Sequence, residues 1–179
     1  MKAAAALALV ALAARALAAL ALPASVEDLA RSSDAVVRGT VLAARSRWTA
    51  DRLRIVTAVE LQVAIAWRGA APARVEVLVP GGVVGDLGQR VDGMATFAPG
   101  EEVVAFLVRP GPARGSAGSS SSGAWRVAGG AQGKFTVSGS RARPDLARTT
   151  FLEAPLAPGE RRAEEMPIAE LERRVRAAR

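Results

Sequence analysis

A chain of 179 residues with 24 basic and 17 acidic side chains, net +7, has the length of one domain. It holds no cysteine and no histidine, which excludes thiol nucleophiles, Cys/His zinc sites, disulfide frameworks and Ser-His-Asp triads. Lys2 and Lys134 are the two lysines; the arginines are scattered without the basic runs of nucleic-acid patches, so their excess reads as compositional bias beside alanine and glycine.

Met1-Lys2 opens the chain with positive charge. Ala3 to Leu22 is almost wholly Ala, Leu and Val, and small residues follow at Ala19-Leu20-Ala21 and Pro23-Ala24-Ser25. This layout predicts a secretory signal peptide over residues 1–24, cut after Ala21 or Ala24. Arg15 interrupts the apolar run, and alanine is a weak membrane residue, so cleavage is favoured over a retained anchor. The expected location is secreted or periplasmic, with membrane contact only through the signal segment before cleavage. Loss of Lys2 and Arg15 leaves 22 basic against 17 acidic residues. A mature chain of about 155 residues buries roughly 68–70% of its unfolded surface, enough to fold without disulfide or metal.

Residues 25–138 read as the folded domain. Ser25 to Ser33 predicts a short helix, with Ser25 and Asp28 spaced as a capping box and Val26, Leu29 and Ala30 on one face. Ala35 to Ala44 follows as a strand, with Val37, Gly39, Val41 and Ala43 on one side and a bend or bulge expected at Gly39. Trp48 to Arg52 turns the chain. From Leu53 to Trp67 the large apolar residues Leu53, Ile55, Val59, Leu61, Val63, Ile65 and Trp67 hold the odd positions, diluted only by Thr57, while Arg54, Glu60 and Gln62 fall on even ones, a period of two. At about 3.3 Å per residue that strand would run roughly 50 Å, so it must curl or be interrupted. Val75 to Val79 is a third strand, stopped by Pro80-Gly81-Gly82. Glu101 to Arg109 is a fourth, apolar on both faces and therefore expected to be buried on both. The Gly, Ser and Pro stretch from Pro110 to Gly123 reads as a dispensable surface loop. Trp125 to Val127 and Lys134 to Ser138 make a final hairpin or a strand broken around Gly129-Gly130, with Lys134 pointing outward. From Gly139 the tail, residues 139–179, reads as irregular until Pro167, where Ile168, Leu171 and Val175 predict a helix supported by Glu170–Arg174 and Glu172–Arg176 pairs. The expectation is a mainly β protein: a small antiparallel OB-like barrel of about five strands, with a short N-terminal helix and a C-terminal helix.

Asp34-Ala-Val-Val-Arg-Gly-Thr-Val41, followed by a long alternating strand ending Ile65-Ala-Trp-Arg-Gly69, resembles the start of the OB-type domain of tissue inhibitors of metalloproteinases. Pro80 to Gly82 and Gln132-Gly-Lys-Phe135 are similar to turns of a family of exported bacterial β-barrel proteins of unknown function. The resemblance covers about Asp34 to Val137. It implies a fold. It does not carry the inhibitory mechanism, which needs an N-terminal cysteine that this chain lacks.

Few residues remain to carry chemistry. Gly82, Gly85 and Gly88 follow a strand as a phosphate loop would, but Asp92-Gly93 and Pro99-Gly100 leave no room for the helix such a loop opens. Asp86, Asp92, Glu101 and Glu102 lie close in sequence without a calcium-loop spacing. Lys134 has no Ser-x-x-Lys partner, and Trp67 falls on the apolar face rather than on a stacking surface for bases. No catalytic, metal or cofactor residue is assigned. The loop from Gly81 to Gly93 is the expected interaction surface, with Gly82, Asp86, Gln89, Arg90 and Asp92 as its contact residues. The function expected is a non-enzymatic binding module for an unidentified protein or surface polymer, not nucleic acid. The alternatives are a hydrolase using two carboxylates and a protease-inhibitor-like module working without the cysteine mechanism.

Overall fold

The computed structural model describes residues 19–109, 123–146, 149–152, 156 and 162–178. Residues 1–18 of the expected export signal, and nearly all of the Pro110–Gly123 loop, lie outside the described residues. The elements in chain order are β1 (Ala19–Ala21), α1 (Val26–Arg31), β2 (Ala35–Trp48), β3 (Ile55–Gly69), β4 (Arg74–Pro80), β5 (Gly82–Val84), β6 (Leu87–Gln89), β7 (Glu102–Val108), β8 (Arg126–Val127), a 3-10 turn (Gly130–Gly133), β9 (Lys134–Ser138), β10 (Arg141–Pro144), β11 (Thr149–Phe151), β12 (Met166–Pro167) and α2 (Ile168–Ala177). No helix among the described residues is long and apolar enough to cross a membrane.

The protein is mainly β, but the expected five-stranded barrel is replaced by an open eight-stranded sheet. Its order is β12-β10-β9-β7-β2-β3-β4, with β8 added on β7. The extra strands come from the segment read as an irregular tail. In Arg141-Ala-Arg-Pro144 the two arginines face solvent while Ala142 and Pro144 are buried, so a period of two was present under the charges. β8 and β9 do not pair with each other as a hairpin; they are two pieces of one strand broken around Gly129-Gly130, the other form expected for this segment. Both pair with β7, β9 at Val103–Ala105 and β8 at Leu107–Val108. The far edge of the sheet curls until β4 meets the segment leading into β8: Trp125 N–H donates to Glu76 O and Leu78 N–H to Trp125 O, both at 2.8 Å.

Two apolar clusters sit on the two faces of this sheet. One packs α1 and α2 against Val36, Trp67, Val104, Phe106 and Phe135. The other fills the curl with Val37, Val41, Val59, Leu61, Val77 and Leu107. β7 serves both, and Val103 to Leu107 are each fully buried, as the two-faced apolar pattern predicts. Phe106 and Phe135 meet at 5.9 Å between ring centroids, tilted by 44°.

The long β3 strand keeps its period only through interruptions in its pairing with β2. The register shifts between Val36 and Val37, between Arg38 and Gly39, and between Val41 and Ala43. A Cβ on Gly39 would overlap Gln62 O, so only glycine permits that close approach. The shifts change phase along the strand. Leu61 is buried in the curl, Ile65 is turned out to solvent, and Trp67 is delivered to the helix face instead.

Both helices are anchored as their sequences suggest. Ser25 and Asp28 form the capping box on α1. In α2, Leu171 and Val175 are buried and Arg176 pairs with Glu172. Arg174 does not pair with Glu170. It forks onto Glu27 of α1, with Nε to Oε1 at 2.7 Å and Nη2 to Oε2 at 2.6 Å. The bond from Arg174 is the largest cause holding the Glu27 carboxyl below its usual range, against partial burial that would raise it.

Candidate functional site

The segment after β4 begins with a turn that only glycine allows. Gly81 (φ 96°) donates its N–H to Ile55 O at 2.8 Å, and Gly82 (φ 139°) then folds β5 back over the β2–β3 hairpin. A Cβ on Gly82 would overlap the hydroxyls of Ser46 and Thr57. Those two residues are cross-strand partners, and they form a relay beneath the turn. Val83 N–H donates to Ser46 Oγ at 3.2 Å, Ser46 and Thr57 hydroxyls bond at 3.0 Å, and Thr57 donates to Gly81 O at 2.7 Å. Because Thr57 gives its proton to Gly81, Ser46 is the donor between the two hydroxyls. β6 returns antiparallel to β5 in the register Gly82↔Gln89, Val83↔Gly88 and Val84↔Leu87. Gln89 Oε1 accepts the Ile55 N–H at 2.6 Å. The β5–β6 arm is thus fastened to the sheet at both of its strands.

Between this arm and residues 91–97 lies a groove of about 620 Å³. Ala44, Val59, Val79, Met94 and Phe97 give it an apolar lining, and Gln89, Arg90 and Asp92 line it with polar groups. Val79, Pro80, Met94 and Ala95 also border a second cavity of about 290 Å³.

The side of the groove opposite the arm is held by a buried cation. Lys134 is 2% exposed, contrary to the outward orientation expected for it. Its ammonium bonds Glu101 Oε1 and, at 2.8 Å, Thr136 Oγ1, and lies 5.4 Å from the centroid of the Phe97 ring. Glu101 Oε2 accepts the Ala98 N–H at 3.1 Å. Burial alone would raise the Glu101 carboxyl, but bonds from Lys134, Thr136 and Ala98 and the charge of Lys134 outweigh it, and the net direction is downward. Gly93 O accepts from Ala131 N–H and Val41 O from Gly100 N–H, both at 2.8 Å, so the loop is tied down along its length.

Gly82, Gln89, Arg90 and Asp92 all line this groove, whereas Asp86 sits exposed at the tip of the arm and does not. The four carboxylates that are close in sequence are dispersed. Asp92 is at the groove, Asp86 at the tip, Glu101 is spent on Lys134, and Glu102 pairs with Arg38 at 2.6 Å. Among the described residues no three carboxylates come together as a metal site would need. Sequence reasoning missed Ser46, Thr57 and Phe97. The first two carried a signal only once the hairpin register was known. The chain matches no known protein-family profile, no curated protein and no solved structure.

Proposed function

We propose that the protein is an exported, non-enzymatic binding module for a protein or a cell-surface polymer, with the groove beneath the β5–β6 arm as its site. The observation that carries this reading is the groove itself. Its volume of about 620 Å³ falls in the usual range for binding pockets, and an apolar lining with a few polar groups is the usual composition. Asp92 is the single carboxylate among the lining residues, which leaves a two-carboxylate hydrolysis without its second acid. The curl that brings β4 to Trp125 supports a kinship with exported OB-like domains as part of the same proposal.

The arm residues divide into anchors and contacts. Gln89→Ala removes the acceptor of the Ile55 N–H and should cost about 1–3 kcal/mol of stability. Arg90→Ala with Asp92→Ala removes groove groups that hold no ion pair. With a partner captured from the exported fraction, that double variant is expected to bind at least about tenfold more weakly, ~1.4 kcal/mol, at unchanged melting temperature. Full binding by the double variant would place the site elsewhere.

Export gives the proposal a second, sharper prediction. Gln132 is 5% exposed, and its amide is satisfied by the segment that follows the signal: Oε1 accepts Ala24 N–H at 2.8 Å and Nε2 donates to Leu22 O at 3.0 Å. Ala163 N–H also donates to Ala24 O at 3.1 Å. Cutting after Ala24 would strip Gln132 of both partners, a cost of about 1–3 kcal/mol for a buried amide. Cutting after Ala21 keeps them and gives up only β1, which pairs with β11. Ala19-Leu20-Ala21 also supplies the small-x-small pattern, while Leu22-Pro23-Ala24 does not. The intact mass of the exported protein should therefore correspond to a chain beginning at Leu22. A chain beginning at Ser25 or Met1 would sink this assignment.

A further inference from the structure

The described arginines are mostly engaged. Seven pair with carboxylates, Arg68 bonds Ala178 O, and Arg109 and Arg162 lie over aromatic rings. Four that have no such partner fall within ten residues of one hairpin: Arg45, Arg47, Arg52 and Arg54, all exposed. Ser46 and Thr57 face the groove, so Arg45 and Arg47, the alternate residues of β2, face the opposite side. Arg54 continues that side of β3, next to Thr49 across the ladder. Strand geometry sets Arg45 and Arg47 about 7 Å apart, and places Arg54 diagonally across from Arg47 at a similar distance. Of the carboxylates nearby, Glu60 takes Arg74 at 3.3 Å. Asp51, in the turn itself, accepts from Thr49 Oγ1 and Leu53 N–H; these bonds, with the charge of Arg54, hold its carboxyl below the usual range, although it makes no ion pair with any of the four arginines.

Arg52 adds an independent observation. Its φ is 56°, and it is the one non-glycine with positive φ among the described residues, while ten glycines occupy the other such positions. A side chain in that conformation is strained. Glycine would turn this hairpin with less strain. The arginine held there stands beside three more whose guanidinium groups form no ion pair.

We infer that the outer face of the β2–β3 hairpin end binds an extended polyanion, one that carries oxyanions, carboxylate or phosphate, on successive units. Planar guanidinium groups pair with such oxyanions in a bidentate fork, and a row of them along a strand fits a linear polymer. This site lies on the other side of the hairpin from the groove. It goes beyond the groove reading and stands or falls separately from it.

The test is titration of the protein with polygalacturonate and with inorganic polyphosphate, each at low and at physiological salt. Binding to at least one is expected, weakening as salt rises. The two polymers distinguish carboxylate from phosphate as the recognised group. Arg45→Gln with Arg47→Gln should lose at least about tenfold in affinity. Arg126→Gln with Arg143→Gln, which removes the same charge from two other arginines without carboxylate partners, should lose less than about twofold. Arg52→Gly should raise the melting temperature and still weaken binding. Equal losses in the two double variants would overturn the proposal, because net charge alone would then explain attraction. Failure of both polymers to bind, or binding to phosphatidylglycerol vesicles in their place, would overturn it as well.

Discussion

Replacing Lys134 with methionine is expected to cost about 3–5 kcal/mol, because it leaves the half-buried Glu101 carboxylate without its cation. The same change removes the contact over the Phe97 ring and frees Thr136 from one of its partners. Adding Glu101→Leu should recover most of the loss, since an apolar pair of similar volume avoids the desolvation that the ion pair must repay. Acid gives a second readout. Glu101 is held below its ordinary carboxylate value of 4.5 in the folded state. A group with a lowered folded pKa contributes stability that is present above its unfolded value and lost as pH falls through the folded one. Wild-type stability should therefore drop between the ordinary carboxylate range and the lower folded value. Part of that drop should be missing in Lys134→Met, where the cation that lowers Glu101 is gone. Urea unfolding at neutral pH and at pH about 3 measures both effects. Equal losses at the two pH values, or no rescue by Glu101→Leu, would show that the pair is not what holds this loop.

Lys134 also marks where the sequence stopped being readable. Phe135 and Val137 alternate with Lys134, Thr136 and Ser138, so the polar side of β9 reads as solvent-facing. That side is instead covered near Lys134 by a loop that arrives from more than thirty residues upstream in the chain. Periodicity reports that a strand has two faces. It does not report which distant loop lies on the polar one. The Glu27–Arg174 fork is hidden for the same reason, since its partners are 147 residues apart and the local Glu170 offers the helix-spaced alternative. Strand phase was legible only piecewise. The alternation through Leu61 is kept, but the register shifts in β2–β3 turn Ile65 outward and send Trp67 to the helix cluster. The capping box of α1, the two-faced burial of β7 and the bulge near Gly39 could be read directly, because each depends on neighbours in sequence or on composition within one element.

Of the residues expected to form the site, Gly82 and Gln89 have architectural duties that the sequence did not reveal. Gly82 makes room over two hydroxyls, and Gln89 substitutes for a backbone partner of Ile55. Arg90 and Asp92 keep their polar groups free of ion pairs at the groove. The arm therefore has a fixed base and a short polar rim. For the proposed binding role, such an arrangement would lower the ordering cost, because a partner would not have to immobilise the loop.

Gly133→Ala is the second large effect expected. Gly133 stands between Gln132, which secures the segment at Leu22 and Ala24, and Lys134, which secures the loop beside the groove. A Cβ at this position would overlap Ala128 O, a backbone atom held by the hydrogen bond from Ala128 N–H to Phe106 O at 2.9 Å. Neither side can give way without moving the 3-10 turn, and with it both anchors. The expected loss is about 3 kcal/mol, at the upper end for overpacking, or roughly 6–12 °C in melting temperature for a chain of this size. Gly139→Ala is the comparison. Gly139 has φ 58° but open space around the added methyl, so it should lose only the cost of a left-handed backbone, about 1 kcal/mol. The two substitutions separate the reasons for which this chain uses glycine: room at Gly133, dihedral angle at Gly139. Gly133→Ala should also weaken protection of the Ala24 amide against hydrogen exchange, since that N–H is bonded to the neighbouring Gln132 side chain. Equal and small losses at the two glycines would mean that the Ala128 carbonyl yields easily and that residues 132–134 do not act as a joint between the N-terminal segment and the groove.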